Sequence, residues 1–180
     1  MSVKSLTVIT NDEGKDVCVL SRDIDGYLTG HGEYLRNFLR GYLITREAKS
    51  KDNRKAITKI GRLAALLVAE FKSGIGDFEL LPAGTRDQGE EYLYTIYARH
   101  SSLKTPSLLN LRVEVAFPQY SEIDPSNNSR MTVIYDGLLD EFDPHEVQSN
   151  WEHAEDELDH FVDSQVALAT PAPANQSTVQ

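Results

Sequence analysis

The sequence predicts an α+β fold in which an antiparallel sheet, made of an N-terminal hairpin and a four-strand meander, carries two central helices and an acidic C-terminal helix. Three observations predict it. Short runs rich in β-branched and aromatic residues mark the N-terminus and recur from residue 78, whereas three-and-four spacing dominates residues 33–73 and 143–163. The linkers between the later strands hold no helical pattern, and a parallel pair needs a crossover of about a dozen residues or more, so successive strands are expected to pair antiparallel. At 180 residues and 40% apolar, the chain has the size of one domain with a sizeable core. That domain is expected over residues 1–163.

Each element has its own signal. Residues 6–9 and 17–20 are β-rich and flank the turn sequence Asn11-Asp12-Glu13-Gly14, which reads as a hairpin over residues 5–22. A loop with three glycines in seven positions follows, at Gly26, Gly30 and Gly32. Tyr34, Leu35, Phe38, Leu39, Tyr42 and Leu43 then form one apolar face of a helix over 33–44. Residues 46–55 are a charged connector. A second helix over 54–73 carries Ile57, Ile60, Leu63, Ala64, Leu67, Val68 and Phe71 on one stripe and ends at Ser73-Gly74. Residues 78–81, 92–98, 111–117 and 131–135 are short, aromatic and β-branched, bounded by Gly, Pro, Asn and Ser clusters. Asp143-Pro144 caps a helix to residue 163 whose buried stripe is Val147, Trp151, Ala154, Leu158 and Phe161. Residues 164–180, small and with two prolines, read as a flexible tail.

Charge is polarised along this order. The net charge is −10, yet residues 1–130 hold 17 acids and 18 bases while residues 131–180 hold 11 acids and no Lys or Arg. Direct nucleic-acid binding is therefore disfavoured. The ten bases between Arg36 and Lys72 lack interleaved aromatics in their dense part, so they read as a solvated face rather than a base-stacking site. The lone Cys18, inside Val17-Cys18-Val19-Leu20, reads as a buried strand residue in a reducing compartment. The N-terminus has no signal-type apolar run, and no stretch approaches the roughly 20 apolar residues of a membrane span. A cytoplasmic protein without membrane contact is expected.

The glycine loop admits three readings. Asp23-x-Asp25-Gly26 after a strand suggests the haloacid-dehalogenase phosphatase pattern, in which paired carboxylates act as nucleophile and acid/base beside Mg²⁺; that family needs a doubly wound parallel sheet, which the non-helical linkers oppose. Alternatively, Asp25, Gly26, Tyr27, Gly30, His31 and Gly32 form a ligand-binding loop for a nucleotide or other small anion. Positive-φ glycines would make an N–H nest ahead of a helix start, although Asp23, Asp25 and Glu33 oppose an anion. The third reading is a tight strand-to-helix connection with no ligand.

The chain also resembles a known group. Asp25-Gly26-Tyr27-x-x-Gly30-His31-Gly32-x-x-Leu35-x-x-Phe38-Leu39, then Gly61-x-Leu63-Ala64-Ala65, Glu91-Tyr92-x-Tyr94-x-Ile96 and Tyr135-Asp136-Gly137-x-Leu139-x-x-Phe142, is similar to small proteins of bacteriophages and prophages without an assigned activity. The resemblance covers residues 5–142 and leaves out the acidic helix. In that group His often precedes the Asp-Gly-Tyr where this chain has Asp23, which counts against a two-carboxylate mechanism. The resemblance implies a phage accessory protein acting in the host cytoplasm, a class rich in inhibitors of host defence.

The acidic helix supplies the expected binding surface: Glu146, Glu152, Glu155, Asp156, Glu157, Asp159 and Asp163 cover its exposed faces, and the six from Glu152 onward are the expected partner-binding residues. Unrelieved carboxylates repel within one helix, so three explanations compete: docking on the basic segment of this chain or of a second copy, mimicry of a phosphate row that occupies a basic DNA- or RNA-binding host protein, or solubility alone. His153, Glu157 and His160 share one side of the helix at metal-permissive spacing, but histidines among surface acids are commonplace. No metal or cofactor is expected. The leading expectation is thus a non-catalytic binding protein, with small-ligand binding at the glycine loop and Mg²⁺-dependent phosphohydrolysis by Asp23 and Asp25 as alternatives.

Overall fold

A computed structural model describes residues 2–44, 55–57, 59–72, 78–98, 109–116 and 131–154. The fold is α+β, with a six-stranded, mostly antiparallel sheet in the order β5-β2-β1-β6-β7-β8. Strands β1 (Ser5–Thr10) and β2 (Asp16–Arg22) form the expected hairpin. Its turn is fixed by the Asn11 side chain, which accepts the amides of Glu13 and Lys15, and by Gly14 at φ 74°, a conformation that disfavours a Cβ. After the glycine loop come a single π-helical turn (Leu28–Gly32), helix α1 (Glu33–Leu39), and strands β3 (Tyr42–Ile44) and β4 (Lys55–Ile57), which pair parallel as a small separate sheet. Helix α2 (Ile60–Lys72), strands β5 (Phe78–Leu81), β6 (Tyr92–Ala98), β7 (Leu109–Ala116) and β8 (Met131–Leu138), a 3-10 turn (Leu139–Glu141) and helix α3 (residues 144–154) complete it.

The main core lies between the sheet and the helices. Ile9, Leu20, Tyr94, Ile96, Leu111 and Val113 point to the helical side, where they pack with Leu35, Leu39, Leu63, Leu67 and Phe142. Cys18 lies in this core as expected, and burial pushes its thiol pKa up. Leu6, Val8, Val19 and Leu93 form a smaller apolar cluster on the opposite face. Among the described residues, no helix is long and apolar enough to cross a membrane.

The four-strand meander needs correction. Strands β6, β7 and β8 are consecutive antiparallel neighbours, but β5 pairs with β2 at the far edge, and the central β1–β6 pair is parallel. Alternation specifies which face a side chain takes, not which strand lies alongside. Residues 82–91 carry the chain from β5 back to β6 without a helix. Ten extended residues reach about 33 Å, ample for three inter-strand steps of about 4.8 Å. Arg86 anchors that link to Asp16 at 2.9 Å, the Gly84 amide donates to the same carboxylate at 2.8 Å, and the Glu91 amide closes onto the Lys4 carbonyl at 2.9 Å.

Helix limits also differ from expectation. The first helix stops at Leu39, not 44, because residues 42–44 leave to pair with β4; Tyr34 from the expected stripe is 38% exposed. The second starts at Ile60 because Lys55–Ile57 is extended. The remaining connector, the Ser73-Gly74 cap, helix residues 155–163 and the 164–180 tail lie outside the described residues. Asp143 caps α3 as expected: its carboxylate accepts the amides of His145 at 3.0 Å and Glu146 at 3.3 Å.

Candidate functional site

The glycine loop is a packed joint between the hairpin and α1. Asp25 takes the positive φ (56°), whereas Gly26, Gly30 and Gly32 have none. These glycines serve close approach instead. A Cβ on Gly26 would lie 2.7 Å from the Val3 carbonyl, one on Gly30 2.8 Å from the Asp25 carbonyl, and one on Gly32 3.3 Å from the Tyr94 ring. The expected N–H nest is therefore not formed. The amides of Gly26, Gly30, His31 and Gly32 donate to the carbonyls of Val3, Tyr27, Asp25 and Tyr27. Tyr94 closes the joint by donating its hydroxyl to the Gly26 carbonyl at 2.8 Å.

His31 sits at the centre of this joint, fully buried, with Phe71, Phe78 and Tyr94 at ring-centroid distances of 5.5, 5.7 and 5.2 Å. Its Nδ1 is 3.2 Å from the Arg22 guanidinium, and its Nε2 is 2.6 Å from Thr7 Oγ1. Guanidinium has only donors, so Nδ1 must accept and the proton resides on Nε2, which donates to Thr7. Burial, reinforced by the charge of Arg22, lowers the imidazole pKa to about 3. Arg22 is held in turn by the Ile24 carbonyl and by the Phe78 face, 5.0 Å from its ring centre. Bonded on both nitrogens inside an aromatic box, His31 fastens β1 and β2 to the turn before α1.

Asp23 is exposed and pairs with Lys4 at 3.5 Å; Asp25 is exposed, and the sheet beneath is not doubly wound parallel. Among the described residues no group of three or more His, Cys, Asp or Glu is placed to hold a metal. His153 is described, whereas Glu157 and His160 are not. Of the acidic helix set, Glu152 is described and accepts the Gln148 amide at 2.7 Å; Glu155, Asp156, Glu157, Asp159 and Asp163 lie outside the described residues.

Sequence reasoning missed a groove of about 650 Å³ between β8 and α3. One wall is residues 133–137 of β8; the other is the face of α3 that carries Val147, Trp151 and Ala154. Val147 and Trp151 also pack against the core, which fixes the helix over the strand. Asp136, Glu141, Asp143 and Glu146 supply four carboxylates, and no Lys, Arg or His lines the groove. Arg112 meets Asp136 from the neighbouring strand at 3.8 Å, and Tyr97 also donates to that carboxylate. The amides of Glu146 and His145 hold the Asp143 carboxyl below its usual range, while burial and then Glu141 push the Tyr135 phenol up. At neutral pH the groove is anionic with an apolar floor. Its signal was present in Tyr135-Asp136-Gly137 followed by Asp143-Pro144, but nothing in the spacing says that a strand and a later helix form one cleft.

No protein-family model, curated protein or solved structure matches the chain.

Proposed function

We propose that the chain is a binding protein that engages a positively charged partner protein through the acidic surface formed by the β8–α3 groove and the carboxylate-rich sequence that follows it. The observation that carries this reading is the groove itself: four carboxylates and no cationic side chain around an apolar floor. The charge runs on, since residues 131–180 contain 11 acids and no Lys or Arg. Such a surface steers a cationic partner by long-range attraction, and its apolar floor supplies contact area once the partner arrives. The glycine loop, with its amides and histidine engaged internally, supports the surface by fixing α1 to the sheet. A kinship of residues 5–142 with phage and prophage proteins, proposed from the motifs alone, would make that partner a host factor.

The test is affinity capture from a bacterial host lysate with the intact chain and with a variant carrying Glu141→Gln, Glu146→Gln, Glu155→Gln, Asp156→Asn, Glu157→Gln and Asp159→Asn. A captured partner whose association slows with added salt, and which the variant loses, is the expected result. Capture that is unchanged in the variant and indifferent to salt refutes the reading.

A further inference from the structure

We infer that the groove takes its partner as an added seventh strand: an extended segment that alternates Lys or Arg with apolar residues and pairs with the outer edge of β8. The inference rests on the acidic-surface reading above and specifies how the contact is made.

Strand β8 is the last strand of the sheet, and no described strand pairs with its outer edge. Five consecutive β8 residues line the groove. Tyr135 packs against the core on the α3 side and Asp136 pairs with Arg112 on the other face, so a groove lined by both runs along the strand's edge rather than over one face. The edge is therefore what the groove exposes. Natural sheets commonly blunt such an edge with Lys, Pro or a bulge. The sequence of β8 has neither Lys nor Pro but carries one bulge, at Ile134 where the register with β7 shifts, so unbroken pairing of an added strand is expected along residues 135–138. Val133 beside the bulge is 43% exposed.

An incoming strand would satisfy backbone groups along β8 and place alternate side chains toward α3, where Trp151 and Val147 offer an apolar surface. The intervening side chains would meet Asp136 on the opposite face, while Glu141 and Glu146 flank the apolar surface on the α3 side. This is strand addition, in which main-chain bonds give affinity and side-chain contacts give specificity. Charge selects among occupants. Two copies joined through β8 would bring the same carboxylates face to face, which like-charge repulsion disfavours. A basic segment of another protein has the complementary sign.

The experiment uses the full chain and three eight-residue peptides: alternating Lys-Val, the same peptide N-methylated at alternate amides, and alternating Glu-Val. Binding is read from Trp151, the only tryptophan, and from amide hydrogen exchange over residues 131–138. The expected result is that Lys-Val slows β8 exchange, that Glu-Val does not bind, and that N-methylation weakens binding by at least about tenfold at unchanged charge. Equal affinity for the methylated peptide overturns strand addition while leaving attraction by charge intact. Failure of both cationic peptides to bind also overturns it, and capture by the acidic surface is then judged independently by the lysate experiment. If the outward-facing β8 amides, those not bonded to β7, are already protected in the free chain, the groove belongs to another segment of the chain or to a second copy, which sedimentation distinguishes, and the inference is wrong.

Discussion

Thr7 Oγ1 and His31 Nε2 stand 2.6 Å apart with both residues buried, so the first strand is bonded directly to the turn that launches α1. Two segments 24 positions apart are thereby locked in one register.

The His31 imidazole should stay neutral across the physiological range, with its proton on Nε2. The folded-state pKa of about 3 lies below the ordinary 6.5, so below pH 6.5 the unfolded chain binds a proton that the folded chain does not. Stability is therefore lost as pH falls from 6.5 toward 3, by at most about 1.4 kcal/mol per unit. Urea unfolding at a series of pH values should show the gap between the native chain and His31→Gln narrowing over this window. Nitrogen-15 spectra should show an unprotonated Nδ1; a ring that titrates near 6.5 contradicts the burial.

Two glycine substitutions should have opposite signs. Gly26→Ala forces a Cβ against the Val3 carbonyl and the Ser5 Cβ at 2.7 and 2.8 Å and should cost about 1–3 kcal/mol or prevent folding. Gly61→Ala, in α2 with its nearest neighbour at an ordinary 3.9 Å from Val17, should stabilise by about 0.5–1 kcal/mol. Thermal unfolding of the pair checks both.

Arg86→Ala should loosen the link between β5 and β6. It leaves the Asp16 side chain, 11% exposed, with only the Gly84 amide, at a cost of about 1–3 kcal/mol. The bond from Arg86 is the main cause that lowers the Asp16 pKa below 3.8, so the stability it confers is present above that value and lost as pH falls below it. Acid titration of the variant should show a smaller loss below pH 4 than the native chain.

Asp143→Ala should fray the start of α3, because the amides of His145 and Glu146 lose their acceptor. Helical circular dichroism should fall and Trp151 emission should shift to the red, while Asp143→Asn or Asp143→Ser should retain most of both. An unchanged spectrum in the alanine variant would show that tertiary packing alone sets the helix start.

Elements with strong periodicity were legible before any coordinates. The hairpin at 5–22, the α2 stripe of Leu63, Ala64, Leu67 and Phe71, and the Asp143 cap all follow from side-chain period and end chemistry. The burial of His31 was readable too, had the α1 stripe been traced backwards: Leu28, His31, Leu35 and Leu39 lie at three-and-four spacing and all are fully buried. A histidine between two glycines suggests an exposed loop only while that continuation is overlooked.

Other features depended on partners distant in sequence. Alternation in β5 and β6 assigns inward and outward residues but is blind to neighbours, so the parallel β1–β6 pair and the placement of β5 beside β2 came from how the helices and the 82–91 link close the core. The glycines at 26, 30 and 32 announce an absent Cβ; only the approach of Val3, Asp25 and Tyr94 shows that backbone contact, not positive φ, is the reason. The sequence by itself determined the α+β class and the segregation of negative charge after residue 130. The tertiary structure alone decided that part of this charge flanks a cleft along an open strand edge, because a groove is a relation between β8 and α3 that neither segment encodes separately.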